Sequence, residues 1–362
     1  MKNALCAADA AAFLASSILC TLIGAALFCG SAIADPAGPP TPAAPAPVPA
    51  AKGGGELEEI IVTAEKREST VQATPIAMTA LSAGDLTEQN ITSIQDLVGA
   101  IPGISLRTAG PGQTEYEMRG LASSGGSVAT VGFYLDETPL SASAVALNGR
   151  TVIDADLYDL NRTEILRGPQ GTLYGAGSMG GTIKLVTNAP KLNDLDGAAY
   201  IDASQTDGGG TNGRGSFMLN VPLGEIAALR FVTTDKYISG WIHRYVIAPG
   251  QFPFPSGYGT CGAAIVYYCN RGNVQDAPVA LDIPGSNLER FISSRASLLL
   301  QPSDALSITS NFMYQRIDAQ GYSNFQAPPN NEAIYQPYDI KEPYYDSFHL
   351  WSMKVSYDMS FA

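Results

Sequence analysis

Basic residues are scarce in this chain: 21 lysines and arginines stand against 34 aspartates and glutamates, for a formal charge of −13. That balance argues against a nucleic-acid-binding role, because phosphate backbones demand a basic face. Charge of either sign is sparse as well, at 15% of 362 residues, which is low for a soluble helical enzyme. Histidine occurs only at 243 and 349, and neither position has ligand spacing to a cysteine pair. Neither a zinc centre nor a histidine-based triad is therefore supported. Long apolar runs are missing except at the very start. Cysteine all but disappears after residue 29, since of five only Cys261 and Cys269 follow.

What is abundant is turn-forming sequence, with 37 glycines and 24 prolines. Residues 1–34 have the form of an export signal: Lys2, an apolar stretch from Ala10 to Phe28, then Ala32-x-Ala34 as a small-residue cleavage site. A membrane anchor is the rival, and the small-x-small site favours cleavage. In an exported chain, the close pair Cys261 and Cys269 suggests one disulfide stapling a loop, and no metal site is expected. Residues 35–55 form a tether. Seven prolines fall between 35 and 50, and Lys52-Gly53-Gly54-Gly55 follows, a composition that stays extended and solvated.

Residues 56–66 begin "ELEEIIVTA", a β-prone stretch at the end of that tether. It is either a first strand of a sheet or a strand offered to a partner. From 67 to 190 a compact α+β domain is expected. Ser82-x-x-Asp85 is a capping box, and Ile94, Leu97, Val98 and Ile101 share one face of a short helix stopped by Pro102-Gly103. Strands are expected at "ISLRTA", "EYEMRGL", "TVGFYLDET" and "RTEILRG".

After Pro190 six segments alternate apolar and polar residues: 198–206, 214–222, 228–239, 290–301, 305–316 and 348–361. Val232 breaks the pattern in the third. Past the first hairpin, tight connections ("PLGEIAA", "PSD") alternate with connections of roughly thirty to fifty residues, the layout of outer-membrane barrels rather than of a soluble sandwich. On that layout the apolar faces meet lipid, and the lysines and arginines of the polar faces point into a wet lumen.

Between the two parts lies "LRGPQGTLYGAGSMGG", residues 166–181, with six glycines in sixteen positions. It contains Gly175-x-Gly177-x-x-Gly180 and a near match to a hydrolase elbow. Both motifs require a following helix, and "TIKLVTNAP" follows instead. Neither a dinucleotide site nor a nucleophile turn is supported. Tight turns and close backbone packing are the remaining use of the glycines.

These segments together resemble the TonB-dependent outer-membrane receptors. "EEIIVTA" is similar to their Ton box, "EYEMRGL" to their Arg-Gly strand, "VGFYLDETPL" to their tyrosine-aspartate strand, and "DLYDLNRTEILRGPQGTLYGAGSMGGTIKLVTNAP" to their most diagnostic segment, with Arg162-Thr163 where Glu-Arg is usual. The resemblance implies an α+β plug followed by strands of an antiparallel transmembrane β-barrel, 191–362, of a family-expected 22 strands. It implies no covalent chemistry and no cofactor. TonB, driven by its inner-membrane ExbB–ExbD motor, would add a strand at Glu59, Ile60, Ile61, Val62, Thr63 and Ala64. Arg119 with Gly120 and Arg167 with Gly168 would be plug–barrel contacts facing barrel carboxylates.

The cargo implied is a scarce nutrient, most often a ferric siderophore; cobalamin, a glycan or an aromatic compound would use the same plug, and a secreted soluble binding protein is the competing class. Aromatics in the long connections, among them Tyr258, Tyr267, Tyr268, Tyr322, Phe325 and Tyr335, are candidates for the ligand or for an interfacial girdle. Six strands cannot surround a plug of this size, so the sequence is expected to be a truncated copy. Mature protein should begin at Asp35. Intact mass of envelope protein tests this, and a retained leader would refute it.

Overall fold

The computed structural model describes residues 60–108, 110, 114–122, 129–140, 153–247, 279–325, 335–336 and 341–359. The leader, the tether, Glu59, Tyr258, Tyr267, Tyr268 and the pair Cys261 and Cys269 lie outside the described residues. The first elements are a short hairpin, β1 (Ile61–Val62) against β2 (Ser69–Thr70). Next come β3 (Met78–Ser82), α1 (Ala83–Glu88), α2 (Ile94–Ala100), β4 (Ile104–Thr108) and β5 (Thr114–Met118). The compact part is completed by β6 (Val131–Leu135), β7 (Thr138–Pro139), β8 (Leu160–Arg167), α3 (Gly171–Tyr174) and β9 (Gly181–Thr187).

Its centre is a five-stranded sheet in the order β3-β8-β9-β6-β7, with β6 parallel to β9 and the other neighbours antiparallel. The expected capping box closes α1, where Ser82 and Asp85 exchange bonds. A second one, Ser93 with Asp96, starts α2 and had not been anticipated. Each satisfies amide groups that a helix start leaves unpaired. The apolar stripe of α2 (Ile94, Leu97 and Val98) packs with Phe133, Ile165, Ile183 and Leu185 of the sheet and with Tyr116, whose ring stacks on Phe133 at 5.6 Å. Both faces of the sheet centre are covered, so β6 is buried along its whole length.

All six alternating segments form strands of one antiparallel sheet in chain order: β10 (Asp196–Gln205), β11 (Thr211–Pro222), β12 (Ala227–Ile238), β15 (Glu289–Ser303), β16 (Leu306–Ala319) and β18 (Tyr344–Tyr357). Between them β13 (His243–Ile247), β14 (Val279–Ile283) and β17 (Tyr335–Gln336) build a separate three-stranded sheet in the long connections. The six-stranded wall is inside out relative to a soluble sandwich. Arg230, Ser297 and Gln315 are at most 4% exposed, while Trp351, Met353 and Val355 are 56–68% exposed. The compact part covers the polar face of the middle strands, β11, β12, β15 and β16, and nothing among the described residues covers the apolar face.

One expectation needs correction here. The arginines of the polar face do not point into an open wet lumen, because Arg230 and Arg295 are buried against the compact part. The break in alternation at Val232 is real. This residue sits on the inner face with Met218, Phe291, Met313 and Ile317, apolar side chains buried inside the wall.

The glycine-rich stretch works by close approach. Gly181 has φ 155°, and a Cβ there would overlap the Leu166 carbonyl oxygen and Met118 Sδ. A backbone atom cannot rotate out of the way as a flexible side chain can. Gly181→Ala should therefore cost about 3 kcal/mol, from overpacking and an unfavourable backbone angle together. Thermal melting and protease resistance of the chain folded in detergent measure it; near-wild-type stability would show the contact to be tolerant.

Candidate functional site

The N-terminal segment is not held out to solvent. It is fastened to the five-stranded sheet. Val62 and Ala64 are fully buried, and Thr63 is the centre of a polar cluster. Glu164 Oε1 accepts from Thr63 N at 2.8 Å and from Thr63 Oγ1 at 3.1 Å. Lys184 Nζ donates to the same hydroxyl at 2.8 Å, and Arg162 Nη2 at 3.3 Å.

Glu164 and Lys184 are cross-strand partners on β8 and β9, and each is at most 1% exposed. Buried charge is tolerated only when paired and hydrogen-bonded. Arg162 Nε meets Glu164 at 2.8 Å, Lys184 meets Glu137 at 2.6 Å, and Glu137 meets Lys66 at 2.5 Å. Lys66 lies on the turn that follows Ala64, so the chain of charges returns to the segment it holds. Its ammonium stands 4.5 Å from the Tyr174 ring centre, a cation–π contact.

Tyr174 supplies the other hold, donating its hydroxyl to Ala64 O at 2.8 Å, while Tyr134 donates to Tyr174 O at 2.7 Å. Burial first, then nearby carboxylates, push both phenols above their ordinary range and keep them donors. At Glu137 burial opposes the charge, but the hydrogen bonds and charges of Lys184 and Lys66 outweigh it and hold the carboxyl below its usual range. Tyr174 belongs to α3, the single turn inside the glycine-rich stretch. The stretch therefore places a hydroxyl, and no phosphate cradle or nucleophile is formed.

A second cluster joins the compact part to the wall through residues 154–159. Gln315 Nε2 donates to Asp154 O at 2.6 Å, Arg214 Nη2 to Asp156 at 3.3 Å, and Tyr158 donates its hydroxyl to Ala198 O at 3.4 Å. Asp159, held at φ 62°, takes both oxygens' worth of bonds from Arg230 and a further one from Arg295 at 2.5 Å. This short strap thus reaches β10, β11, β12, β15 and β16.

Among the described residues, the plug–wall ion pairs run from wall arginines to plug aspartates. The resemblance had implied plug arginines facing barrel carboxylates. Arg119 and Arg167 instead meet plug groups: Arg167 Nη2 donates to Thr79 Oγ1 at 2.6 Å, and the Arg119 guanidinium lies against Gly168, which has φ 104°. The two Arg-Gly pairs are brought together, and carboxylate partners from the wall are not among the described residues.

Above the strap, at the end of the wall that carries the long connections, is a cavity of about 440 Å³. Ser93, Asp96 and Asp156 line it from the plug side and Asp202, Lys236 and Glu289 from the wall. Of the candidate ligand aromatics, Phe325 packs edge-on against Trp241 at 5.2 Å and Tyr322 lies 6.2 Å from Tyr344. The first contact ties one long connection to the other, and the second ties Tyr322 to the start of β18; Tyr335 is described only as part of β17.

Residues 70–182 match the family model for the TonB-dependent Receptor Plug Domain. Over 160 residues the chain is 31% identical to the pesticin receptor of Yersinia pestis, covering 44% of this chain and 21% of that protein. It is 29% identical over 171 residues to the ferripyoverdine receptor of Pseudomonas aeruginosa, covering 47% and 19% respectively. Among solved structures, the ferric yersiniabactin uptake receptor of Yersinia pestis matches with a TM-score of 0.58 at 18% identity, over 80% of this chain and 39% of that one. The Pseudomonas aeruginosa ferripyoverdine receptor bound to ferripyoverdine gives 0.60 at 15% identity, over 83% and 34%. The chain thus spans about a fifth of the length of the curated relatives it matches.

Removing Asp159 would leave two buried guanidiniums without their shared carboxylate, at a cost of about 3–5 kcal/mol. Asp159→Ala should therefore lower the denaturant midpoint of the detergent-folded chain more than Arg214→Ala, which breaks a single pair. Equal losses would show that Asp159 is not the principal clamp.

Proposed function

Because this chain belongs to the TonB-dependent outer-membrane receptors, carrying the plug and the N-terminal part of the barrel wall, we propose that it serves energised uptake of a ferric siderophore. The observation that carries this reading is the placement of the two clusters on one pair of strands. Thr63 is held by Arg162 and Glu164 of β8 and by Lys184 of β9. The wall clamp, Asp159, is the residue immediately before β8. A pull on the segment is delivered to a strand whose start is fixed to the wall. That is the mechanical arrangement a plug needs if force from the periplasm is to loosen it without expelling it.

In this mechanism the ligand enters from the side of the long connections and settles over the strap, in the cavity bounded by Ser93, Asp156 and Asp202. Ile60, Ile61, Val62, Thr63 and Ala64 form the TonB contact, made as an added strand through backbone hydrogen bonds. The ExbB–ExbD motor supplies the work. The residues move the ligand by binding and release alone, without bond chemistry. The iron-chelate assignment is supported by what similar proteins take up, among them the ferripyoverdine receptor and the ferric yersiniabactin uptake receptor.

Proline lacks the amide hydrogen that strand pairing uses. Ile61→Pro, placed in a receptor whose barrel is complete, should abolish energised uptake of a radiolabelled ferric chelate and leave its surface binding unchanged. Uptake at the parental rate would remove the coupling role from this segment. Growth of a deletion strain on a panel of ferric chelates, cobalamin, glycans and aromatic compounds identifies the cargo, and rescue only by a compound without iron would overturn the siderophore assignment.

A further inference from the structure

The cavity over the strap is lopsided in charge. Asp96, Asp154 and Asp156 line it from the plug and Asp202 and Glu289 from the wall, against Arg214 and Lys236 as the bases among the described residues. The ladder sets one row of that lining. Asp202, Arg214, Lys236 and Phe291 stand side by side on β10, β11, β12 and β15, and Ile317 and Asp346 continue the row on β16 and β18.

Both bases turn out of the row and are partly covered. Arg214 donates to Asp156 at 3.3 Å and to Thr92 O at 3.2 Å, and its side chain is 10% exposed. Lys236 faces Glu289 at 3.7 Å and lies 5.5 Å from the Phe291 ring centre, at 28% exposure. Two of the acids stay open. Asp96 and Asp202 are exposed. Asp96 accepts from neutral groups, the amides of Thr92 and Ser93 and the Thr92 hydroxyl. Asp202 stands opposite Arg214 in the ladder, but that guanidinium is spent on Asp156. The charge that an entering molecule meets is therefore negative. The remainder of the two long connections brings no excess of base, since outside the described residues they carry Arg271 against Asp276, Glu332 and Asp339.

We propose that the cargo is a ferric chelate of positive charge, a hydroxamate-type complex with a free ammonium. The proposal rests on the reading of this cavity as the cargo site, and what it adds is the sign of the charge accepted there. Three hydroxamate anions cancel the charge of ferric iron, so a pendant ammonium makes the complex a cation. Three catecholate dianions leave the complex a trianion. Between Asp96 and Asp202 a trianion meets like charge in a space where the plug displaces water and repulsion exceeds that in bulk solvent. A cation meets the opposite, and the acid excess around the mouth steers it inward.

Three radiolabelled ferric probes test this on the full chain in detergent at low salt. They are a linear tris-hydroxamate with one terminal ammonium, the same ligand N-acetylated, and a tris-catecholate. The first two differ by one charge and little in shape. Equilibrium dialysis should give the ammonium form about five- to tenfold tighter binding than the acetylated form, with the tris-catecholate weakest and the gap closing as salt is added. Asp202→Asn should narrow the gap about threefold, and Lys236→Gln should widen it by about the same factor. Opposite responses from two positions on one row are not what loss of packing produces. Equal affinity for the ammonium and acetylated forms, or tightest binding of the tris-catecholate, overturns the charge assignment and leaves the siderophore reading standing. Binding of none of the three overturns both.

Discussion

A strand wall with its polar face inward is stable only if something polar fills it. That constraint governs this structure. Arg230 and Arg295 project from the wall into a space where water is displaced by the plug, and a buried guanidinium without a carboxylate is costly. Asp159 answers both. Its left-handed backbone angle, unusual for a residue with a side chain, turns the carboxylate out of the plug and into the wall. Asn188 fixes it from behind, donating to its Oδ1 at 2.9 Å.

The two polar clusters differ in kind. At the wall the hold is a charge clamp: Arg230 forks onto the Asp159 carboxylate, among the strongest neutralising geometries available to protein groups, Arg295 shares that carboxylate, and Gln315 and Tyr158 add bonds to backbone carbonyls. At the N-terminal segment the plug reads mostly backbone and a hydroxyl: the amide and Oγ1 of Thr63 and the carbonyl of Ala64. Backbone contacts of this sort can be exchanged for another strand's contacts with little net change. Forked ion pairs cannot. One side of the plug is therefore held by exchangeable contacts and the other by a fixed charge clamp.

The six wall strands were legible in the sequence because lipid and plug impose opposite polarity on alternate residues, and so was α2, whose stripe repeats at helical spacing. What was hidden depended on meeting at long range. Glu164 sits in "RTEILRG" like any surface charge, and only the cover of residues 60–66 buries it. The direction of the plug–wall ion pairs was equally invisible, since nothing near Asp159 in sequence announces Arg230 or Arg295. Val232 broke the alternation because an inner wall face is not uniformly polar where it packs on a plug. The sheet of β13, β14 and β17 joins short segments from separate connections, and each is too brief to show a period.

Asp159 draws one arginine from β12 and one from β15, and the long connection of residues 239–288 lies between those two strands. Their register in the wall is fixed by a continuous ladder from Ala227–Leu300 to Ile238–Glu289. Lengthening a connection adds closure entropy only logarithmically, about 0.6 kcal/mol for each doubling. A longer or shorter connection therefore costs little, and neither the ladder nor the clamp has to change with it. Length is cheap at that end of the wall and register is not.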